Sequence, residues 1–484
     1  MRILAVHSYY RQRGGEDVVF EAEADLLESF GHRVIRLTRS NEAFADLASS
    51  DMVRRSVINR EVARAVAEVV RREKVEVAHF HNTFPSITAG AIKAAHQAGA
   101  ATVQTLHNFR LLCPKAVCFR EGEPCVQCVD KSFATPALQH RCFHDSRSAT
   151  MLVAMHSWWH RRRATYRRFL DRAIAPTEFV RSRYERSLYP MAPIRVKPHF
   201  VADRGWIGSG EGGYAVFVGR LSEEKGVKTL LEAWGRLQVP IPLRLIGSGP
   251  LAELVQEHAR RSHSGGPDGR IEWLGWLPPE EVEQQIGEAA LLCLPSACGE
   301  SFGRVVIESL AQGTPVLCSD HGGQHELVHA NFGGSFRNGD ADDLARAVDD
   351  LTRRLRSGTP LRQSARAEYL SRYTAAANHR QLMTLYKEAI REREAKQAGH
   401  GEGDSAPRLS DQRGDFPVAP QFRLRRLPPP QAKSTADASE RWLVLQTRID
   451  TPNGGGVFFF PGGSGAATDE PPDASPSTEK NLSS

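Results

Sequence analysis

No stretch of the sequence reaches the roughly 18 apolar residues needed to span a bilayer, and Met1 to Ser8 is not followed by the apolar core and cleavage site of a secretory signal. These absences argue against a membrane-spanning class and place the expected chain in the cytoplasm. Cysteine is scarce, at 8 of 484 residues, and five of the eight (Cys113, Cys118, Cys125, Cys128 and Cys142) crowd into one stretch. In a reducing compartment that pattern suits thiols or a metal better than a disulfide framework. A strong charge of one sign is missing as well: the formal charge is only +6. That is too mild to argue for nucleic acid, yet compatible with an anionic substrate or membrane surface.

What is present reads as an ordinary globular protein, 40% apolar and 25% charged. Its length exceeds what one hydrophobic core organises, so two domains with extra segments are expected. Short apolar runs alternate with helical patterns from the start: a strand over Ile3 to His7, a helix over Glu16 to Phe30, a strand over Val34 to Leu37. Val75 to His81, Ala101 to Leu106, Ala173 to Ala175 and Ile194 to Pro198 continue a parallel βαβ pattern. A glycine-rich loop from Asp203 to Gly213 reads as a linker, after which the pattern restarts at Tyr214 to Val218. Leu243 to Ile246, Ile271 to Leu274, Leu291 to Leu294 and Pro315 to Cys318 then alternate with helical stretches such as Val227 to Leu237 and Leu251 to Arg261. The expected class is α/β with two doubly wound parallel sheets. Residues 361–396 look helical, and 397–484 form a low-complexity tail, expected to be disordered, in which Trp442 to Thr447 and Val457 to Phe460 are apolar islands.

In open α/β sheets ligands gather beyond the carboxyl ends of the strands. Gly14 and Gly15 lie there, ahead of a helix whose amides favour an anion, although a plain turn is the default reading of a lone glycine pair. Gly219-Arg-Leu-Ser-Glu-Glu-Lys225 places a guanidinium and an ammonium after the first strand of the second half, where they can replace a metal in stabilising a departing diphosphate. Gly299-Glu-Ser-Phe-Gly303 precedes an amphipathic helix expected to run through Gln312, with Glu300 at its entrance and Glu308 about two turns along. Carboxylates so placed can accept hydroxyls from a sugar and from a ribose, or serve only the helix dipole and the surface. Gly322, Gly323 and Glu326 form a further amide-rich turn. His160 to Arg168 concentrates cations in a segment read as helical, either a solvated face or a contact to phosphate headgroups.

Together these residues resemble the retaining glycosyltransferases of family four with the GT-B fold, two facing Rossmann-like domains. The resemblance covers roughly residues 1 to 395, and its most specific parts are Gly219-Arg220 with Lys225, Glu300 with Glu308, and Gly322-Gly323 with Glu326. It implies an acceptor domain over 1–203 with a cysteine-bearing insertion at 108–143, a nucleotide-sugar domain over 204–360, and helices over 361–396 that cross back onto the first domain. Arg220 and Lys225 would bind the donor diphosphate, Glu300 the transferred sugar, and Glu308 the ribose. Gly15, Gly219, Ser301, Phe302 and Gly303 would complete the donor site, with Gly14 in the N-terminal glycine loop. His107 is the preferred sugar or acceptor contact, and His79 and His81 either join it or make structural hydrogen bonds.

The implied reaction is transfer from a nucleotide-diphosphate sugar to a hydroxyl of a glycan or lipid-linked acceptor, with retained configuration, in cell-surface polysaccharide, lipopolysaccharide or glycolipid synthesis near the inner membrane face. The alternatives are a phosphorylase or sugar-phosphate synthase on the same scaffold, and a silent nucleotide-sugar binding protein. No cofactor is required for catalysis. Two departures stand out: Gln324 and His325 fill a gap where the family often has proline before its glutamate, and Cys113, Cys125, Cys128 and Cys142 could hold a structural zinc or remain free thiols.

Overall fold

The computed structural model describes residues 1–10, 13–41, 55–263, 271–399 and 445–446. The first half builds one sheet from β1 (Arg2–Tyr9), β2 (Arg33–Ser40), β3 (Val77–Phe80), β4 (Ala101–Thr105), β7 (Arg172–Ala175) and β8 (Ile194–Val196). All six run parallel, in the order β2-β1-β3-β4-β7-β8. A separate two-stranded ribbon, β5 (Phe119–Arg120) with β6 (Glu123–Pro124), lies in the cysteine insertion. The second half builds another parallel sheet from β9 (Ala215–Val218), β10 (Leu243–Ile246), β11 (Ile271–Gly275), β12 (Leu291–Leu294), β13 (Val316–Ser319) and β14 (Gly333–Phe336), ordered β11-β10-β9-β12-β13-β14. The chain therefore has the GT-B arrangement of two doubly wound sheets.

Alternation along the strands explains why both faces of each sheet are covered. Leu4 and Val6 enter one core with Ile35, Leu37 and the helix Arg60–Glu73. Ile3, pointing the other way, joins Val77, Val103 and Ile174 beneath Leu382, Leu385, Tyr386 and Ala389 of the helix Ala375–Gly399. In the second half Ala215 and Phe217 face one core, and Val216 faces another that contains Phe302, Tyr369 and Tyr373. Each such fully buried apolar side chain contributes about 1.5–3 kcal/mol relative to exposure. The helix Gly15–Ser29 follows β1 directly and buries Val19, Phe20, Ala24 and Leu27.

Three expectations change. The helix after the Glu300 loop spans only Arg304–Ala311, because Gly303 adopts the left-handed φ of 81° at its entrance. Glu300 therefore stands in the loop ahead of the helix, and the two-turn spacing to Glu308 does not hold. The basic segment His160 to Arg168 is not one helix: Arg147–Arg162 ends, Ala164 turns left-handed, and Thr165–Phe169 starts anew. The terminal helix continues through Gly399, so residues 397–399 of the expected tail are helical; Arg391 to Ala398 consists mostly of good helix formers. Leu445–Gln446 (β15) pairs antiparallel with β2, Leu445 opposite Leu37, inside the first apolar island. The rest of the tail, including Val457 to Phe460, lies outside the described residues.

Candidate active site

The order of each sheet decides which loops meet. In the second sheet β9 and β12 are neighbours although the chain visits β10 and β11 between them, so the loops after β9 and β12 flank the point where strand order reverses. A ligand crevice forms at such a point. Those two loops carry Lys225 and Glu300. Lys225 Nζ donates to Glu300 Oε1 at 2.8 Å, and the Ser296 hydroxyl donates to the same oxygen. Burial pushes the Glu300 carboxyl up, but Lys225 and Ser296 outweigh it and hold it below its ordinary range. Burial likewise disfavours the Lys225 ammonium, and Glu300 more than compensates. Arg220 is exposed on the β9 loop and has no ion pair among the described residues.

Close packing makes the two loops one unit. Gly226 has φ 70°, and a Cβ there would lie 1.8 Å from the Pro295 carbonyl oxygen, so only glycine lets Lys225 reach the β12 loop. A Cβ on Gly322 would lie 2.7 Å from the Glu300 amide nitrogen, and the Gly323 amide donates to the Glu300 carbonyl at 2.7 Å. The glycine pair thus braces the Glu300 loop, and the Gly323 N–H is already engaged. Glu308 pairs with Arg304 at 3.1 Å on its own helix; burial raises its carboxyl against the opposing pull of Arg304. Phe302 is buried, and its ring meets His199 at 4.8 Å.

Glu326 takes a part that sequence reasoning missed. Its carboxylate accepts the backbone N–H groups of Glu178 at 2.8 Å and Phe179 at 2.5 Å, at the start of the helix Glu178–Glu185 in the first half. Beside it Thr177 donates its hydroxyl to the Ser301 carbonyl at 2.8 Å. A helix N-terminus favours an acid, so Glu326 clasps the two halves together next to the Glu300 loop.

In the first sheet the reversal falls between β1 and β3. Gly14 caps the helix Gly15–Ser29, and its amide donates to Asp17 at 2.8 Å, while Gly15 begins the helix beside Glu16. His81 and His107 sit at 3.0 Å between ring nitrogens, and His199 stacks on His107 with centroids 5.3 Å apart. Burial first, then crowding by the other imidazoles and the Lys197 ammonium, holds His81 and His107 well below the ordinary imidazole range. His79 is spent on structure: its two nitrogens bond the hydroxyls of Tyr386 and Thr105, both at 2.8 Å. Beneath them Lys197 donates to Glu23, and both side chains are buried. Glu23, His79 and His81 bring three metal-type ligand atoms within 4.8 Å of one another, but the Lys197 ammonium already supplies the positive charge there.

His107 also lines a cavity of about 30 Å³ with Glu16, Asn108 and Arg110. Glu16 accepts from Asn108 at 2.5 Å and from Tyr10 at 3.0 Å. Its carboxyl is raised by burial, with those two bonds opposing. Sequence reasoning passed over Glu16, because an acid in the first turn of a helix looks like a dipole partner.

Residues 208–367 match the family described as glycosyl transferases, group 1. The chain is 35% identical over 184 residues to the D-inositol 3-phosphate glycosyltransferase of Corynebacterium efficiens, covering 36% of this chain and 42% of that protein. It is 30% identical over 184 residues to the phosphatidyl-myo-inositol mannosyltransferase of Mycolicibacterium smegmatis, covering 37% and 45%. The chain thus spans less than half the length of these curated relatives. Among solved structures, sucrose-phosphate synthase from Thermosynechococcus elongatus superposes with a TM-score of 0.59 at 17% identity, over 80% of this chain and 99% of that one. HepE from Anabaena, in complex with UDP, gives 0.54 at 18% identity, over 79% and 99%. Residues 208–367 are thus similar to the group 1 glycosyl transferases, and the chain around them has the two-sheet GT-B fold.

Proposed function

We propose that the protein is a retaining glycosyltransferase that moves a sugar from a nucleotide-diphosphate donor to a hydroxyl of a glycan or lipid-linked acceptor. The observation that carries this reading is the Lys225–Glu300 pair, held with Ser296 across two loops at the reversal point of the second sheet. Arg220 and Lys225 meet the diphosphate. As the bond from the anomeric carbon to phosphate oxygen breaks, negative charge gathers on the diphosphate, and two fixed cations stabilise it most where it is greatest. Glu300, kept ionised by its surroundings, accepts hydroxyls of the transferred sugar, and Glu308 those of the ribose. HepE was solved with UDP and with UDP-glucose, which supports a nucleotide-sugar donor. The front-face route, in which the leaving phosphate takes the acceptor's proton, needs no protein nucleophile.

In this reading residues 1–203 receive the acceptor and 204–360 the donor. The small cavity formed by His107, Glu16, Asn108 and Arg110, with room for a hydroxyl rather than for a whole acceptor, offers that hydroxyl a neutral imidazole and a buried acid. A place at the inner membrane face, in cell-surface polysaccharide, lipopolysaccharide or glycolipid synthesis, is supported by the helix Arg147–Arg162, which exposes Met151 and Met155 near the exposed Arg162, Arg163, Arg167 and Arg168. Among the described residues no helix is long and apolar enough to cross a membrane.

The test is nucleotide release from UDP-, GDP- and ADP-sugars in the presence of lipid or glycan extracts. Glu300→Ala and Lys225→Ala should each lower turnover by roughly 10²-fold or more, as loss of one oxyanion-type contact does, while leaving the circular dichroism spectrum unchanged. Wild-type turnover in both variants would refute the site assignment. Turnover that requires inorganic phosphate as acceptor would instead mark a phosphorylase.

A further inference from the structure

We propose that Cys113, Cys125, Cys128 and Cys142 bind one zinc ion, and that this ion clamps the insertion against the loop bearing Glu300. All four thiols line a single cavity of about 20 Å³, together with Lys115, Arg120 and His140. That is room for one small ion rather than an organic ligand. The chemistry of the set selects the ion: four cysteine sulfurs, one pair spaced Cys-x-x-Cys, suit tetrahedral zinc.

A second observation points the same way. The Nη1 atom of Arg120 is buried and has no hydrogen-bond partner among the described residues. A buried guanidinium nitrogen without an acceptor is costly. Four thiolates around a divalent ion carry a net charge of −2, and Arg120 and Lys115 on the cavity wall answer it. The backbone is also prepared. Among the described residues nine non-glycine residues have positive φ, and four fall in the insertion (Ala116, Cys118, Glu121 and Arg141), with His144 and Asp145 directly after it. Such conformations persist only where their surroundings over-determine them. Yet the segment contains no disulfide, and its regular structure is limited to the two-residue strands β5 and β6 and the five-residue helix Thr135–Gln139, so a metal supplies the missing constraint.

No three of the four sulfurs lie within 4.8 Å of one another, whereas a zinc–sulfur distance of about 2.3 Å brings tetrahedral neighbours to roughly 3.8 Å. Binding therefore draws the ring of thiols inward and releases their protons to solvent, with no change in oxidation state. The contraction reaches the donor half through the ribbon. Phe119, on β5, packs with Val117 against Ala297 and Cys298, two residues from Glu300.

The experiment uses the full chain, purified under reducing conditions and analysed for metals. About one zinc per chain is expected, released by a mercurial reagent and lost in Cys128→Ser, while Cys293→Ala, in the core of β12, keeps it. Because Cys128→Ser could unfold the insertion, the wild-type protein is also stripped with a chelator and reloaded with cobalt(II). An intense thiolate-to-cobalt charge-transfer band with tetrahedral d–d bands is expected. Hydrogen exchange at 117–120 and 297–300 should rise at least tenfold on stripping. A zinc content below roughly one-tenth per chain, iron in its place, or a cobalt spectrum without thiolate bands overturns the site; unchanged exchange overturns the clamp.

Discussion

Acidification below the ordinary imidazole range should unfold this protein. Six imidazoles are buried in forms that resist protonation. Burial lowers His79 and His156 to about 4, and His160 and His199 to about 3; His81 and His107 also fall well below the ordinary value of 6.5. Their surroundings agree with the neutral form. His156 and His160 each spend one N–H on a carbonyl, of Ser56 at 2.6 Å and Val57 at 3.0 Å, which a neutral imidazole can do and which offsets burial only in part; near His79 and His199 the pull of Glu23 is opposed by burial and by the Lys197 ammonium. The sign follows from proton binding. Below about 6.5 the unfolded chain takes up protons that the folded chain refuses, so the unfolded state gains as pH falls. The contribution is whole above 6.5 and is lost progressively down to about 4 for His79 and His156 and about 3 for His160 and His199. Each imidazole is worth about 1.4 kcal/mol per pH unit, so four together amount to roughly 5 kcal/mol per unit. A total stability of about 5–15 kcal/mol is then exhausted within one to three units. Urea titrations followed by tryptophan fluorescence should give a constant midpoint from pH 8 to 7 and a steep fall below 6.5. Unfolding at pH 5.5 should take up about three to four protons through His79, His156, His160 and His199 alone, and more once His81 and His107 are added. A midpoint unchanged between pH 7.5 and 5.5, or uptake of less than one proton, refutes the reasoning. His156→Gln, which can still donate to Ser56, should reduce the uptake by about one.

Two further outcomes follow from buried charge and from the clasp. Lys197→Met leaves Glu23 buried beside two imidazoles without its cation and should cost about 3–5 kcal/mol, read as a lowered melting temperature, with Glu23→Gln added to Lys197→Met recovering most of it. A loss below about 1 kcal/mol would mean that the pair holds nothing together. Glu326→Ala removes the acceptor of two amides at the start of the helix Glu178–Glu185 and should cost about 1–3 kcal/mol locally, seen as faster hydrogen exchange at Glu178 and Phe179. Equal exchange in variant and wild type would show that the clasp is not kept in solution.

The alternation of strand and helix, the two parallel sheets and the placing of Arg220, Lys225 and Glu300 on strand-end loops were legible because period-two apolar runs and strand-end loops are local signals. What escaped was set by distant neighbours. Nothing in the surroundings of Glu326 says that its partners are amides of residues 178 and 179, and nothing in the sequence near His79 says that Tyr386 waits for it. The helix from Arg304 is shorter than its apolar pattern suggests, because Gly303 takes a conformation that periodicity cannot register. Glu16 was overlooked for the opposite reason: a familiar local explanation was at hand, and its enclosure with Asn108 and Tyr10 depends on a loop almost a hundred positions away.

The crossing of the helix Ala375–Gly399 onto the first sheet sets an order of events during synthesis. Ile3, Val77, Val103 and Ile174 are covered by Leu382, Tyr386 and Ala389 as well as by Leu27, so a nascent chain that has not yet released the helix Ala375–Gly399 presents part of one face of that sheet bare. The first half to be made is among the last to be finished. Until the ribosome has passed residue 389, that greasy face must be sheltered by a chaperone or risk sticking to another chain.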